Sequence, residues 1–466
     1  MPVAQYVMSH AAERPSRLAV RGPLGELTYE ELADKINGVA RHLLDRGAGP
    51  GALVGIGLAD PVELLVAALA ADLAGATPLV GDPTWDAGRW AGAAGSEAPF
   101  LVDEPLPYVA GAPVVHEPRP GDRAWACFSS GSTGRPRAVV RSRRSWTGSF
   151  PHLNDLTGIG PDDVVLVPGP LLSSLYSFAA LHALAAGVTA VVPGRWPGGS
   201  LDALLDGATV VHLVPHRLPD VLERPGSLRT AVVGGAALDP DVRAAAARAG
   251  VRVVAYYGAT ELSFVAVDAD GGGLRPFPGV EIDVRQVEGL AGASGPAEGP
   301  LGEVWVRSPW LAEGYLGGAA GPLRRDGAGW VSVGDVAEPY REGEVLRVRG
   351  RGGGAIQTGG ATVVPEDVEE VLRKVPGVGD IVVVGSPHPS LGAVVTAIIE
   401  AAPPPPRALL EATARGRLDV AQRPRRWYAV PNLPRTGTGK PARAQVEALL
   451  AAELAGQPGD ELRRLV

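Results

Sequence analysis

Phe128-Ser-Ser-Gly-Ser-Thr-Gly-Arg-Pro-Arg137 is a loop of hydroxyls and glycines, entered from an apolar run that contains Cys127. Loops of this make wrap phosphates with backbone N–H groups. The better-known phosphate motifs do not fit. A Walker A loop needs glycine, four residues, then Gly-Lys-Ser/Thr; here Gly131 and Gly134 are too close and no such ending follows. Gly439-Lys440 comes nearer, but Pro434 stands where the first glycine should be. No G-x-G-x-x-G pattern follows a strand-like run. Read alone, the loop is as well explained as a glycine-serine surface turn.

Two further segments bear on it. Tyr256-Tyr-Gly-Ala-Thr-Glu261 ends in a hydroxyl and a carboxylate, suited to a phosphate oxygen and its Mg²⁺. Pro434-Arg-Thr-Gly-Thr-Gly-Lys440 carries one lysine on a glycine turn near the C-terminus.

Around these segments helical and strand patterns alternate, the signature of α/β layering. Thr28-Tyr-Glu-Glu31 is a capping box that predicts a helix running toward Gly47, and Asp60-Pro61 with Glu63 opens another toward Gly75. Thr77–Val80, Val164–Val167, Thr189–Val192, Thr209–Leu213 and Thr230–Val233 read as buried strands, with helices over Phe178–Ala186 and Pro240–Ala249. From Gly302 the pattern shifts to short β segments, Glu303–Arg307, Gly329–Ser332 and Glu344–Arg349. Gly350-Arg-Gly-Gly-Gly354 then has almost no side chains to order it and marks a domain boundary. The expected domains are 1–350, a large layered α/β domain, and 351–466, a small α+β domain. The latter holds a helix from Pro365, strands Ile381–Val384 and Ala393–Glu400, a stiff connector Pro403–Pro406 and a last helix from Ala442.

The chain has 466 residues, 45% hydrophobic and 20% charged, the make-up of a globular protein of more than one domain. Net charge −8 argues against a nucleic-acid surface. The single cysteine, Cys127, rules out an internal disulfide and points to a cytoplasmic location, with the thiol a small core residue. The N-terminus lacks the pattern of a secretory signal, and no apolar stretch approaches the roughly 18 residues of a membrane span. His212 and His216 read as structural, and no His/Cys cluster has zinc-site spacing.

Together the three segments resemble the adenylate-forming superfamily of acyl- and aryl-CoA ligases, peptide-synthetase adenylation domains and luciferases, over about Thr28 to Arg443. The resemblance implies an ATP-dependent enzyme that activates a carboxylic acid as acyl-AMP with release of pyrophosphate, in the manner of an acid–thiol ligase. It implies that Ser129, Ser130, Gly131, Ser132 and Thr133 line the β- and γ-phosphates. Arg137 stands where the family usually has lysine, keeping the charge and able to grip phosphate bidentately. Gly234, Gly235 and Ala236 match the segment bordering adenine, though a strand-to-helix turn explains them too. Tyr257, with Gly258 beside it, matches the aromatic stacked on adenine, with a core tyrosine as the other reading. Thr260 is implied at the α-phosphate, Glu261 on Mg²⁺, Asp335 in Ser332-Val-Gly-Asp335 on both ribose hydroxyls, and Arg351 on ribose or phosphate. Lys440 is the implied catalytic lysine, brought by the small, mobile domain on the loop Thr436–Gly439. The hinge position falls at Gly353, and Gln357-Thr-Gly-Gly360 matches the loop that meets the pantetheine thiol. The implied acceptor is CoA or a phosphopantetheine carrier protein.

Departures from the family bear on the acid. Ser174 occupies the position of the aspartate that pairs with an α-amino group, and Ser173 that of a histidine common in acyl-CoA ligases. Tyr256 replaces a glycine beside the acyl pocket; it either fills space or bonds the substrate, and core packing is the plain alternative. The expected substrate is a small or aromatic acid without an α-amino group. Two other readings remain: an amide synthetase that passes the adenylate to an amine, and a non-catalytic nucleotide- or acid-binding relative.

Overall fold

The computed structural model describes residues 3–94, 97, 99–129, 137–196, 202–287, 300–319, 321–351, 354, 356–358, 361–389, 391–418, 420–436, 439–457 and 462–465. Two compact units emerge. The first comprises Met1–Ser130, Arg135–Glu281 and Arg307–Gly321; the second comprises Gly131–Gly134, Ile282–Val306 and Pro322–Val466.

The first unit is built on two sheets. The nine-stranded one runs Arg275–Pro276, Ser263–Asp268, Arg252–Ala259, Thr230–Gly234, Val210–Leu213, Val164–Leu166, Thr189–Val191, Leu18–Gly22, Gly25–Thr28. From Arg252–Ala259 to Leu18–Gly22 the neighbours pair in parallel, and antiparallel hairpins close both edges. Strands covered on both faces have no polar side to show, which is why these read as unbroken apolar runs. The six-stranded sheet runs Gly314–Tyr315, Arg137–Ser142, Arg123–Ser129, Thr77–Val80, Leu53–Ile56, Phe100–Val102.

The capping box forms as expected. Glu31 N–H donates to Thr28 Oγ1 at 3.3 Å and Thr28 N–H to Glu31 Oε2 at 2.8 Å, opening the helix Tyr29–Asp45. Helix Pro61–Leu73 is apolar almost all round and correspondingly buried. The helix expected from Phe178 begins a turn earlier, at Ser174, where Ser173 takes the extended N-cap position.

The second unit also holds two sheets. One contains Arg324–Arg325, Val331–Ser332, Gly302–Arg307, Asp335–Ala337 and Val348–Arg351, with Glu281–Gln286 paired to Gly302–Arg307. The strand expected over Glu344–Arg349 is Val348–Arg351 instead, since Gly343 turns left-handed (φ 88°) and the chain settles only afterwards. The other sheet is sandwiched by helices. Ile381, Val383, Val395, Ala397, Ile399 and Trp427 face helices Pro365–Arg373 and Arg407–Arg417, while Val382, Val384, Ile398 and Tyr428 face helix Arg443–Leu454. The two-residue alternation of a strand feeds both faces, so the apolar run is again continuous. Among the described residues no helix is long and apolar enough to cross a membrane.

One buried ion pair ties the first unit together. Arg143 and Asp72 are each 2% exposed, the guanidinium bonds Asp72 Oδ1, and Ala4 N–H donates to Asp72 Oδ2 at 3.2 Å. Burial pushes the Asp72 carboxyl upward while Arg143 draws it back. Arg143→Met strands that carboxylate, so a loss of about 3–5 kcal/mol is expected, read as a lower urea midpoint at unchanged slope. An unchanged midpoint would mean that Asp72 is held as the neutral acid.

Candidate active site

Two neighbouring parallel strands of the large sheet deliver several first-unit site residues at their C-terminal ends. Thr230–Gly234 ends in Gly235 and Ala236, both exposed, with Gly235 left-handed at φ 90°. A side chain on Gly234 would run into the Tyr256 ring, 2.1 Å from its Cζ, so the placement of Tyr256 requires glycine there. Tyr256 is partly buried, edge-on to Phe264 at 4.7 Å between centroids, and burial drives its phenol pKa up.

Arg252–Ala259 carries Tyr257 and Gly258 to the reversal at Thr260 and Glu261. Gly258 lies at a bulge where an added Cβ would sit 2.2 Å from the Ser263 carbonyl oxygen, and Ser263 itself is left-handed (φ 63°). Thr260 Oγ1 and Ser174 Oγ share a 2.8 Å hydrogen bond. Glu261 is 3% exposed; its Oε1 accepts from the Tyr315 hydroxyl at 2.9 Å and its carbonyl from Ala312 N–H at 2.9 Å.

The loop quoted first springs from the other sheet. Ser129 and Arg137 are paired across the hairpin that holds it, and Phe128 bridges to Ser173, which sets the base of the loop beside the start of helix Ser174–Ala185. Ser130, Gly131, Ser132 and Thr133, and the side chain of Ser129, lie outside the described residues. So do Gly353, Gly359, Gly360 and the side chains of Arg351 and Gln357.

In the second unit Asp335, 8% exposed, follows Gly334 (φ 85°) and stands opposite Arg351 in antiparallel register. Lys440 is placed by the other sheet of that unit. Its carbonyl accepts from Thr436 N–H at 2.7 Å, closing the base of the loop, and Arg435 ties the loop to Glu400 at 2.8 Å and Asp380 at 3.2 Å.

Two residues escaped the sequence reading. Arg141 lies on the strand after the loop, 2% exposed, and its guanidinium reaches the Thr260 carbonyl at 3.3 Å. Tyr315 comes from a strand far along the chain, and no local pattern links it to Glu261. Cys127 is a core thiol, its pKa pushed up to about 12 by burial, and burial holds His212 down to about 3, hence neutral.

Glu261 and Thr260 offer hard oxygen donors, the chemistry Mg²⁺ takes. Among the described residues no three metal-ligating side chains converge. A metal held here would take most of its ligands from phosphate and water, which is usual for Mg²⁺ on a nucleotide.

A family model described as AMP-binding enzyme matches residues 7–102 and 93–316, and one described as AMP-binding enzyme C-terminal domain matches 367–440. A probable 2-succinylbenzoate–CoA ligase of Mycobacterium tuberculosis is 31% identical over 388 residues, 77% of this chain and 93% of its own length. The fold is that of O-succinylbenzoate coenzyme A synthetase from Bacillus subtilis, solved with ATP and magnesium ion (TM-score 0.80, 22% identity, 95% of this chain and 99% of that one). An amide bond synthetase from Marinactinospora thermotolerans is similar at TM-score 0.77 and 27% identity, over 96% of this chain and 99% of its own. The chain therefore belongs to the AMP-binding enzyme family, as an adenylate-forming enzyme of the acyl- and aryl-CoA ligase type that acts as an AMP-forming acid–thiol ligase.

Proposed function

We propose that this chain activates a small or aromatic carboxylic acid without an α-amino group as its acyl-AMP, then passes the acyl group to the thiol of CoA or a carrier protein. The observation that carries the acid class is the Tyr256 ring, which fills the space against Gly234 and Phe264 on the strand that leads to Thr260 and Glu261. Ser174 supports the same reading. Its hydroxyl is engaged with Thr260, and the first turn of its helix has no acidic residue to pair with an ammonium.

In the first step the acid's carboxylate oxygen attacks the α-phosphorus and pyrophosphate leaves. On this reading Thr260 holds an α-phosphate oxygen, Asp335 the ribose hydroxyls, and Arg351 the ribose or phosphate from the other side. The backbone of the loop from Ser129 to Thr133 and the Arg137 side chain take the departing phosphates. Mg²⁺ on Glu261 would supply charge neutralisation. Lys440 adds its own positive charge where oxygens crowd in the transition state. We take residues 1–350 as the acid- and ATP-binding domain and 351–466 as the mobile domain that brings Lys440, hinged near Gly353. The lone buried thiol supports work in the cytoplasm.

Similarity to the amide bond synthetase favours a second reading in which an amine takes the acyl group. Product analysis with CoA and with amines as competing acceptors separates the two.

The testing experiment is acid-dependent ATP–pyrophosphate exchange over aryl, short aliphatic and α-amino acids. Exchange is expected with one aryl or short-chain class and not with α-amino acids, and Lys440→Ala should lower it about 10²–10³-fold. Exchange with α-amino acids, or with no acid at all, overturns the proposal. Tyr256→Gly should move the preference toward bulkier acids in the same assay; an unchanged preference would place Tyr256 in packing alone.

A further inference from the structure

Arg141 is a buried charge that, among the described residues, donates to no carboxylate, although the buried Glu261 carboxylate acts on it through space. Nη1 donates to the Thr260 carbonyl at 3.3 Å, Nη2 to the carbonyls of Trp310 at 2.6 Å and Ser145 at 2.7 Å, and Nε to Ser145 Oγ at 3.3 Å. Its cationic centre lies 5.3 Å from the Trp146 ring centroid. No carboxylate is among these acceptors. Desolvating a guanidinium to bond carbonyls is costly, and an apolar side chain of like volume would fill the same space more cheaply. The Glu261 carboxylate attracts the guanidinium without bonding it, so the choice of an arginine's fork of donors needs a further reason.

The acceptors give one. Thr260 and Trp310 belong to segments far apart in the chain, and one guanidinium holds the carbonyls of both. The segment that starts at Trp310 also bonds the turn through Ala312 N–H to the Glu261 carbonyl and through the Tyr315 hydroxyl to Glu261 Oε1, both at 2.9 Å. Tyr315 is in turn paired with Val139, on the strand that carries Arg141. The Thr260–Glu261 turn is thus gripped at both residues. Glu261 Oε1 is committed, and the way Oε2 is presented follows from that grip.

We propose that Arg141 is a positioning residue: through the Thr260 and Trp310 carbonyls it holds the Thr260–Glu261 turn in the pose that presents the Glu261 carboxylate to a nucleotide-bound divalent cation, with Tyr315 fixing one carboxylate oxygen. The inference rests on Glu261 as the Mg²⁺ ligand, the reading proposed above.

The test is equilibrium binding of ATP by calorimetry, with Mg²⁺ and with chelator, on the intact chain. For Arg141→Met the tightening of ATP binding by Mg²⁺ should shrink about tenfold, the scale of one charge-assisted hydrogen bond, on top of any loss that a shifted Thr260 causes equally with Mg²⁺ and with chelator. Tyr315→Phe, which removes one hydroxyl and is expected to fold, should shrink the Mg²⁺ tightening in the same direction. Arg141→Lys serves if the methionine variant does not fold, and should show the same selective loss. An equal loss of binding with and without Mg²⁺, or no change in any of these variants, overturns the proposal and leaves Arg141 with packing. Glu261→Gln is measured beside them. If that variant keeps the full Mg²⁺ tightening, the assignment of Glu261 fails; if it loses the tightening while Arg141 and Tyr315 variants keep it, only the positioning role falls.

Discussion

Between Ala259 and Ser263 the chain reverses so closely that Gly258 has no room for a Cβ and Ser263 must sit at φ 63°. That reversal ends a strand in the parallel part of the large sheet. In such sheets ligands collect at the carboxyl ends of the strands, where successive loops leave in one direction. Here the neighbouring parallel strand ends in Gly235 and Ala236, and the chain after Val164–Leu166 reaches Ser173 and Ser174. Parallel pairing thus brings the hydroxyl of Ser174 to that of Thr260 although 86 residues separate them. The arrangement depends on the sheet: without the register Gly234↔Tyr256 the two glycine-dependent turns would not stand side by side.

Two arginines close in sequence show how differently a buried charge can be used. Arg143 meets the Asp72 carboxylate, and the pair joins the first helix of the chain to two others. Removing one partner leaves the other charge buried alone, so the pair is felt by the whole unit. Arg141 meets carbonyls instead. Its fork of donors fixes the relative position of backbone segments that no single strand pairing connects, a task for which the planar guanidinium suits better than an ammonium.

Much of the fold was legible because its local signals are strong and agree with tertiary demands. The Thr28–Glu31 box, the Asp60-Pro61 start and the apolar strands each state one structure, and each formed. Misses came where the deciding interaction is long-range. Helix Ser174–Ala185 starts early because Ser173 is held at a bridge to Phe128 on another sheet. Arg141 follows the apolar pair Val139-Val140 with no local mark of a role, and only the burial of both faces of its strand makes it internal. Tyr315 carries no mark that ties it to Glu261. The three chemical segments were legible for the opposite reason: backbone approach to phosphate needs small residues at close spacing, and that constraint is written locally.

On the proposed reading, two filters of unequal strength choose the acid. Tyr256 acts by volume, and a pocket that differs by one methylene separates substrates by only about 1–3 kcal/mol. The second filter is electrostatic. Helix Ser174–Ala185 opens with serine and no carboxylate, and the Ser174 hydroxyl is already bonded to Thr260. An α-ammonium entering there would lose its water and meet hydroxyls in place of a carboxylate on that helix turn, at a cost of several kcal/mol. Rejection through an unpaired charge therefore outweighs rejection through size, and it needs no clash, only the absence of a partner. Substitutions at Tyr256 should then retune which neutral side chain fits, while the exclusion of α-amino acids stays with the hydroxyl pair at Ser174 and Thr260.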